Sequence, residues 1–212
     1  MKENYTDVNI VLDRSGSMAS IKNDTIGGFN EFLREQQTVE GMATITLAQF
    51  DDVYDIVYRA IDVKAAPMLD DKTFVPRGST ALLDAIGRTI NETGKRLSGL
   101  GDSEKPEKVI FVIVTDGEEN SSREFDNGKI NEMISHQRDV YKWEFVFLGA
   151  NQDAIASASN MGIQASHAMT YAASPEGTQM AFQAVSKNMA SARRKQKADY
   201  SFEDVDRDQQ KI

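Results

Sequence analysis

Apolar residues in this chain fall into short, nearly continuous runs, separated by longer stretches in which they recur every three or four positions. The runs predict strands at 8–13 (VNIVLD), 43–50 (ATITLAQF), 53–59 (VYDIVYR), 108–115 (KVIFVIVT), 143–149 (WEFVFLG) and 163–170 (IQASHAMT). The helical spacing predicts helices at 24–37, 81–97, 127–139, 151–159 and 176–197. NIVLD and KVIFVIVT lack polar alternation, as central strands covered on both faces do. Strands alternating with helices imply an α/β fold: a doubly wound, mostly parallel six-stranded sheet with helices on both faces. The link Asp51-Asp52 is too short for a crossover, so 43–50 and 53–59 form a hairpin, and one of them is an antiparallel edge strand.

Local signals refine this outline. Ser79 or Thr80 stands where the second long helix needs an N-cap, and Ser174-Pro175 is a favourable start for the last helix. Residues 60–79 make a long connection without clear periodicity, of the kind that often carries function. Alternating Tyr54/Tyr58 and Trp143/Phe145/Phe147 read as sheet packing, and His136 and His167 as surface or core residues. Gly27-Gly28 is not followed by Gly-Lys-Ser/Thr and makes no phosphate loop. Arg193, Arg194, Lys195 and Lys197 close the last helix, where positive charge suits the helix dipole. Residues 1–198 are expected to form the domain, and 199–212, with Asp199, Glu203, Asp204, Asp206 and Asp208, an acidic, flexible tail.

Composition narrows the chemistry. A chain of 212 residues can bury one sizeable core. It has no cysteine, which removes disulfides, thiolate metal sites and cysteine nucleophiles, and fits a reducing compartment. The polar opening MKENYTDVN and the lack of a long apolar segment predict a cytoplasmic protein with no membrane contact. A net charge of −9 argues against a nucleic-acid footprint.

Three loops are richer in oxygen than their turns require: Asp13-Arg14-Ser15-Gly16-Ser17, Phe74 to Thr80, and Thr115-Asp116-Gly117-Glu118-Glu119-Asn120. Each follows a strand or precedes a helix. Ligands in open α/β sheets gather at the carboxyl ends of strands where the strand order reverses. If the strands ending at Asp13 and Asp116 are neighbours, two carboxylates and up to three hydroxyls meet in one crevice. Paired buried carboxylates are costly without a cation or proton between them. No lysine or histidine lies within the loops, and Arg14 alternates away from Asp13, Ser15 and Ser17. All-oxygen ligation suits Mg²⁺, Mn²⁺ or Ca²⁺, and a compact hydroxyl-rich site favours the first two.

Asp-x-Ser-x-Ser after the first strand, Gly-x-Thr before a helix and Thr-Asp-Gly after the fourth strand together resemble the von Willebrand factor A domain with its metal-ion-dependent adhesion site. By element order the resemblance runs over roughly residues 5–197, and it is nearest to the intracellular bacterial or phage type. It implies a Rossmann-like fold in which Ser15, Ser17 and Thr80 supply hydroxyl ligands, and Asp13 and Asp116 act directly or through water. The implied ion is Mg²⁺, with Mn²⁺ or Ca²⁺ as alternatives. The implied function is to dock a partner protein through its Asp or Glu carboxylate, in some relatives alongside an AAA-type ATPase.

Plainer readings exist for each loop. Asp13 can be a strand-end carboxylate with Ser15 or Ser17 capping a helix, and Asp116-Gly117 can be a turn. Glu118 to Ser122 read first as a solvated loop, and second as a rim of the site that tunes partner choice. An acidic tail near a carboxylate-seeking site also suggests self-association. Two other classes of function are a Mg²⁺-dependent phosphatase with Asp13 as nucleophile, and a structural subunit. The first lacks the acid that aspartyl-phosphate enzymes of the haloacid dehalogenase type place two positions after the nucleophile, because Ser15 stands there. A serine hydrolase has no G-x-S-x-G here.

Overall fold

In the computed structural model, which describes residues 1–150, 153–197 and 199–208, the strands are β1 (Lys2–Asp13), β2 (Met42–Phe50), β3 (Tyr54–Asp62), β4 (Pro106–Thr115), β5 (Glu144–Ala150) and β6 (Ala168–Tyr171). The helices are α1 (Lys22–Thr38), α2 (Leu82–Ser98), α3 (Asn127–Tyr141), α4 (Ala154–Asn160), α5 (Pro175–Arg193) and a short α6 (Asp204–Asp208). The strands form one sheet in the order β3-β2-β1-β4-β5-β6, parallel except for β3, which runs antiparallel to β2. The expected architecture is therefore the observed one.

Alternation along the central strands divides the core. Val8, Ile10 and Leu12 of β1 face one layer with Phe29, Phe32 and Leu33 of α1 and Phe182 and Val185 of α5. Val11 faces the other layer with Ile86 and Ile90 of α2, Ile130 and Ile134 of α3, and Ala154 of α4. The two clusters bury apolar surface on both sides of the sheet, the dominant favourable term in folding. Gly28 makes the α1–α5 contact feasible, since a Cβ there would lie 2.5 Å from Cδ2 of Phe182. On the α2/α3 side Phe111 stacks on Trp143 at 5.5 Å and on Phe145 at 5.0 Å between ring centres.

From β1 the chain crosses through α1 to β2 on one side; from β3 it crosses through α2 to β4 on the other. The order thus reverses between β1 and β4, and a crevice opens above their carboxyl ends.

Some local expectations need correction. Tyr54 and Tyr58 do not share a face. Leu47 pairs with Tyr58 but Ala48 pairs with Ile56, so a bulge at Val57 turns Tyr58 into the α1/α5 layer while Tyr54 packs toward α2. The connection 60–79 is partly packed: Ala66, Leu69 and Phe74 are core residues, and the Asn30 side chain bonds the Leu69 carbonyl (2.9 Å) and amide (2.8 Å). The strand expected at 163–170 shortens to β6, with a 3-10 turn at Ala165–His167 before it. Of the helix expected at 151–159, residues 151 and 152 lie outside the described residues.

The C-terminal end departs furthest. Helix α5 stops at Arg193, which turns inward to the Gln36 carbonyl (2.8 Å) instead of closing a solvated helix end. Beyond it, residues 199–208 are packed rather than free: Tyr200 and Phe202 are buried in the core, and the Phe202 amide donates to Ser166 O at 2.8 Å. Arg207 Nη2 reaches the carbonyls of Ala165, Ser166 and Ala168 at 3.0, 3.1 and 3.2 Å. Asp206 is buried, with the Glu203 amide donating to it at 2.9 Å. Composition suggested a tail because acids dominate it; two aromatic residues and one arginine suffice to dock it. Residues 209–212 lie outside the described residues. Phe202→Ala is expected to lower the unfolding free energy by about 3 kcal/mol, as large-to-small core changes do. Urea denaturation measures this, and a loss below about 0.5 kcal/mol, the range of surface changes, would show that the segment is not docked.

Candidate metal centre

β1 ends at Asp13 and β4 at Thr115, and these strands are neighbours, with Leu12 level with Val114. The expected juxtaposition of the first and third loops follows from that register. Asp13 is fully buried; one carboxylate oxygen accepts the Ser15 amide at 2.6 Å and the other the Thr115 hydroxyl at 2.6 Å. Ser15 and Ser17 bring their hydroxyls within 3.1 Å of each other, and Ser17 donates to Asp116 at 2.6 Å. Thr80, also buried, arrives from the second loop: a Cβ built on Gly117 would lie 3.3 Å from Thr80 Oγ1 and 3.5 Å from Ser17 Oγ. Asp13, Ser15, Ser17, Thr80 and Asp116 thus stand together, and Gly117 lets the third loop approach the two hydroxyls without a side chain between them.

Thr80 does not cap α2, and neither does Ser79. The helix starts at Leu82 with Ala81 before it and no side-chain cap of its own. Its first amides are taken by the loop after β4: Glu119 accepts from Leu83 at 3.0 Å and the Ser122 hydroxyl from Asp84 at 3.1 Å. In return Asp84 accepts the amides of Arg123, Glu124 and Phe125 at 2.9, 2.9 and 3.0 Å. Asn120 accepts the Thr80 amide at 2.9 Å and donates its own amide to Thr80 O at 3.1 Å. The segment 118–122, expected to be a solvated loop, is therefore a clamp that carries the cap of α2 and leaves the Thr80 hydroxyl free of that role. The sequence placed Thr115, Glu119 and Asn120 in the third loop but not their bracing roles, and Asp84 was missed. The signals were an isolated hydroxyl closing an apolar strand, and an acid in the first turn of a helix.

The electrostatics are those of a site lacking a counter-charge. Burial pushes the Asp13 carboxyl up to about 6, against hydrogen bonds from Thr115 and Ser15 that pull it down, while the charge of Asp116 adds to the rise. Burial also raises Asp116, opposed by its bond from Ser17. Arg14 brings no relief, since its guanidinium turns away to Asp51 and Asp55. Two carboxylates and three neutral hydroxyls, all oxygen, fit a hard divalent cation and offer no soft ligand. Among the described residues no group of three or more His, Cys, Asp or Glu side chains is disposed to hold a metal.

No protein-family model and no curated protein matches this sequence. Solved structures do resemble it. Proximal thread matrix protein 1 from the mussel byssus, solved with its metal-ion-dependent adhesion site occupied by zinc, aligns over 84% of this chain and 46% of its own at 14% identity, TM-score 0.62. The pilus adhesin SpaC of Lactobacillus rhamnosus GG, in its open conformation, aligns over 91% and 30% at 13% identity, TM-score 0.66. A von Willebrand factor type A protein from Catenulispora acidiphila aligns over 88% and 42% at 13% identity, TM-score 0.56. This chain has the von Willebrand factor A fold. It spans less than half the length of each of these von Willebrand A structures. Among the described residues, no helix is long and apolar enough to cross a membrane.

The buried Asp13 beside the half-buried Asp116 gives a direct test of cation uptake. Mg²⁺ or Mn²⁺ added to chelated protein at pH 7 is expected to raise the unfolding temperature. Asp13→Asn, which removes one buried charge, is expected to stabilise the chelated protein by about 1–3 kcal/mol and to erase the metal-induced rise. Differential scanning calorimetry reads both effects.

Proposed function

We propose that this chain is a divalent-metal-dependent protein-binding module, of the adhesion or scaffold kind, that docks an Asp or Glu carboxylate of a partner protein at the centre formed by Asp13, Ser15, Ser17, Thr80 and Asp116. The observation that carries this reading is the meeting of oxygens from three loops at the carboxyl ends of β1 and β4. Mg²⁺ is the proposed ion, with Mn²⁺ or Ca²⁺ as substitutes; when bound it would offer an electron-poor position for an anionic oxygen. Ser15, Ser17 and Thr80 are neutral donors and leave most of a cation's charge uncancelled. Asp13 is held by the Ser15 amide and the Thr115 hydroxyl, which fixes its orientation. A partner carboxylate would supply the missing negative charge, so ion and partner should each strengthen the binding of the other to the same degree.

Similarity in fold to an adhesin and to a byssus matrix protein supports a binding role. The zinc-occupied mussel protein and a manganese-loaded TRAP protein from Plasmodium vivax, similar at TM-score 0.50, support the use of a divalent ion. We place the protein in the cytoplasm, on its lack of cysteine, and expect an AAA-type ATPase system among its partners. Self-association through the tail would use Asp204, which is exposed, rather than the buried Asp206.

Affinity capture on the immobilised chain tests the reading. Partners should be held in Mg²⁺ and released by chelator. Capture should be lost with Ser15→Ala or Thr80→Ala, whose stability changes by no more than about 1 kcal/mol. An identical set of captured proteins with and without chelator would remove the metal from the account. The enzymatic alternative is separated by Mg²⁺-dependent phosphatase activity that disappears in Asp13→Ala.

A further inference from the structure

The hairpin turn at Asp51-Asp52 holds a carboxylate with more partners than a turn needs. Asp51 is fully buried. Its side chain accepts the Val53 amide at 2.6 Å, as turn aspartates do, but also Arg14 Nε at 2.9 Å and Arg77 Nε at 2.8 Å. Its carbonyl accepts the Ala81 amide at 3.0 Å. Arg14 lies between Asp13 and Ser15; Arg77 and Ala81 bracket Gly78, Ser79 and Thr80. One residue of the β2–β3 hairpin therefore grips both of the loops that carry the hydroxyls of the candidate centre.

The loops are drawn together around that grip. The Arg77 amide donates to Arg14 O at 2.8 Å, the Arg14 amide to Phe50 O at 2.8 Å, and the Gly16 amide to Gly78 O at 3.2 Å. Gly78 has φ +68°, and a Cβ there would fall 2.0 Å from Asp52 Oδ1, so the second loop lies flat against the turn. Arg14 and Arg77 both pair with Asp51 and Asp55, and Asp52 adds a third carboxylate beside Arg77.

We propose that Asp51 is a positioning residue of the metal centre, which through Arg14 and Arg77 sets the spacing of Ser15 and Ser17 on the first loop from Thr80 on the second. This rests on the metal-dependent reading above and adds to it the element that keeps the site in register. A carboxylate that merely closed a hairpin would not recruit one guanidinium from each hydroxyl-bearing loop. Its removal would loosen the spacing of the two loops by taking away the carboxylate that both guanidiniums share.

Calorimetric titration of Mn²⁺ into the full chain at pH 7, paired with thermal unfolding in chelator, tests the assignment. Asp51→Asn is expected to weaken Mn²⁺ binding by about ten- to a hundredfold, the range for residues that orient metal ligands. Arg77→Gln changes a side chain that is 57% exposed, so the fold should tolerate it, and it is expected to weaken binding in the same direction by less. If Asp51→Asn does not fold, Arg77→Gln decides. The control is Asp7→Asn, which breaks another buried pair on β1, with Arg96 at 2.7 Å, six residues before Asp13. It should lower the unfolding temperature and leave Mn²⁺ affinity within about twofold, the small effect expected of independent sites. Asp51→Asn and Arg77→Gln behaving like Asp7→Asn would overturn the assignment while leaving the centre intact. Wild-type protein that takes up no Mn²⁺ would overturn the centre and the assignment with it.

Discussion

The pairing of β1 with β4 is the constraint on which the upper face of the sheet depends. Both strands are buried on two sides, so a slip by one residue would exchange the side chains of the two packed layers and lose their fit. Their fixed register puts Leu12 level with Val114 and brings the next residues, Asp13 and Thr115, close enough to share a hydrogen bond. The hydrophobic layers below thus determine where a buried carboxylate sits above. Once Asp13 is fixed there, its charge must be answered locally, and the Ser15 amide, the Thr115 hydroxyl and the candidate cation are the available answers.

Around that point the loops brace one another more than they brace themselves. Helix α2 has no cap from its own N-terminal side chains and takes Glu119 and Ser122 instead, while Asp84 returns three bonds to the loop that caps it. The exchange costs little in chain entropy, because α2 and β4 are already placed by packing, and it rigidifies both partners. A binding surface made of loops gains precision when each loop is held by a neighbouring element, not only by its own ends.

The sequence made the sheet legible because NIVLD and KVIFVIVT are buried on both faces and have no alternation to misread. The three oxygen-rich loops were legible because each holds polar atoms beyond the needs of its turn, and the fold brings all five of their singled-out residues to one place. What escaped has a common cause. The bonds from Glu119 to Leu83, from Asp84 to Arg123, and from Asp51 to Arg14 and Arg77 each join segments distant in sequence, and no local pattern announces them. The bulge that separates Tyr54 from Tyr58 leaves the residue spacing unchanged while reversing a face. The docked end was hidden by composition: five acidic side chains outweighed Tyr200 and Phe202 on the page, though burial of two aromatic rings outweighs the solvation of side chains that stay at the surface.

That docked end bears on how the sheet avoids joining other sheets. Edge strands invite pairing with any extended chain, and this sheet has two, β3 and β6. β3 is broken by its own bulge, a protection present as soon as the hairpin closes. β6 is short, and the carbonyls at its entry are occupied by Arg207, while Phe202 bonds the adjoining turn. One edge is thus guarded by a local distortion, the other by a segment synthesised after every strand it protects. During translation the β6 edge stays open for longest, and intermolecular strand pairing at that edge is the misassembly to which a nascent chain of this protein is most vulnerable.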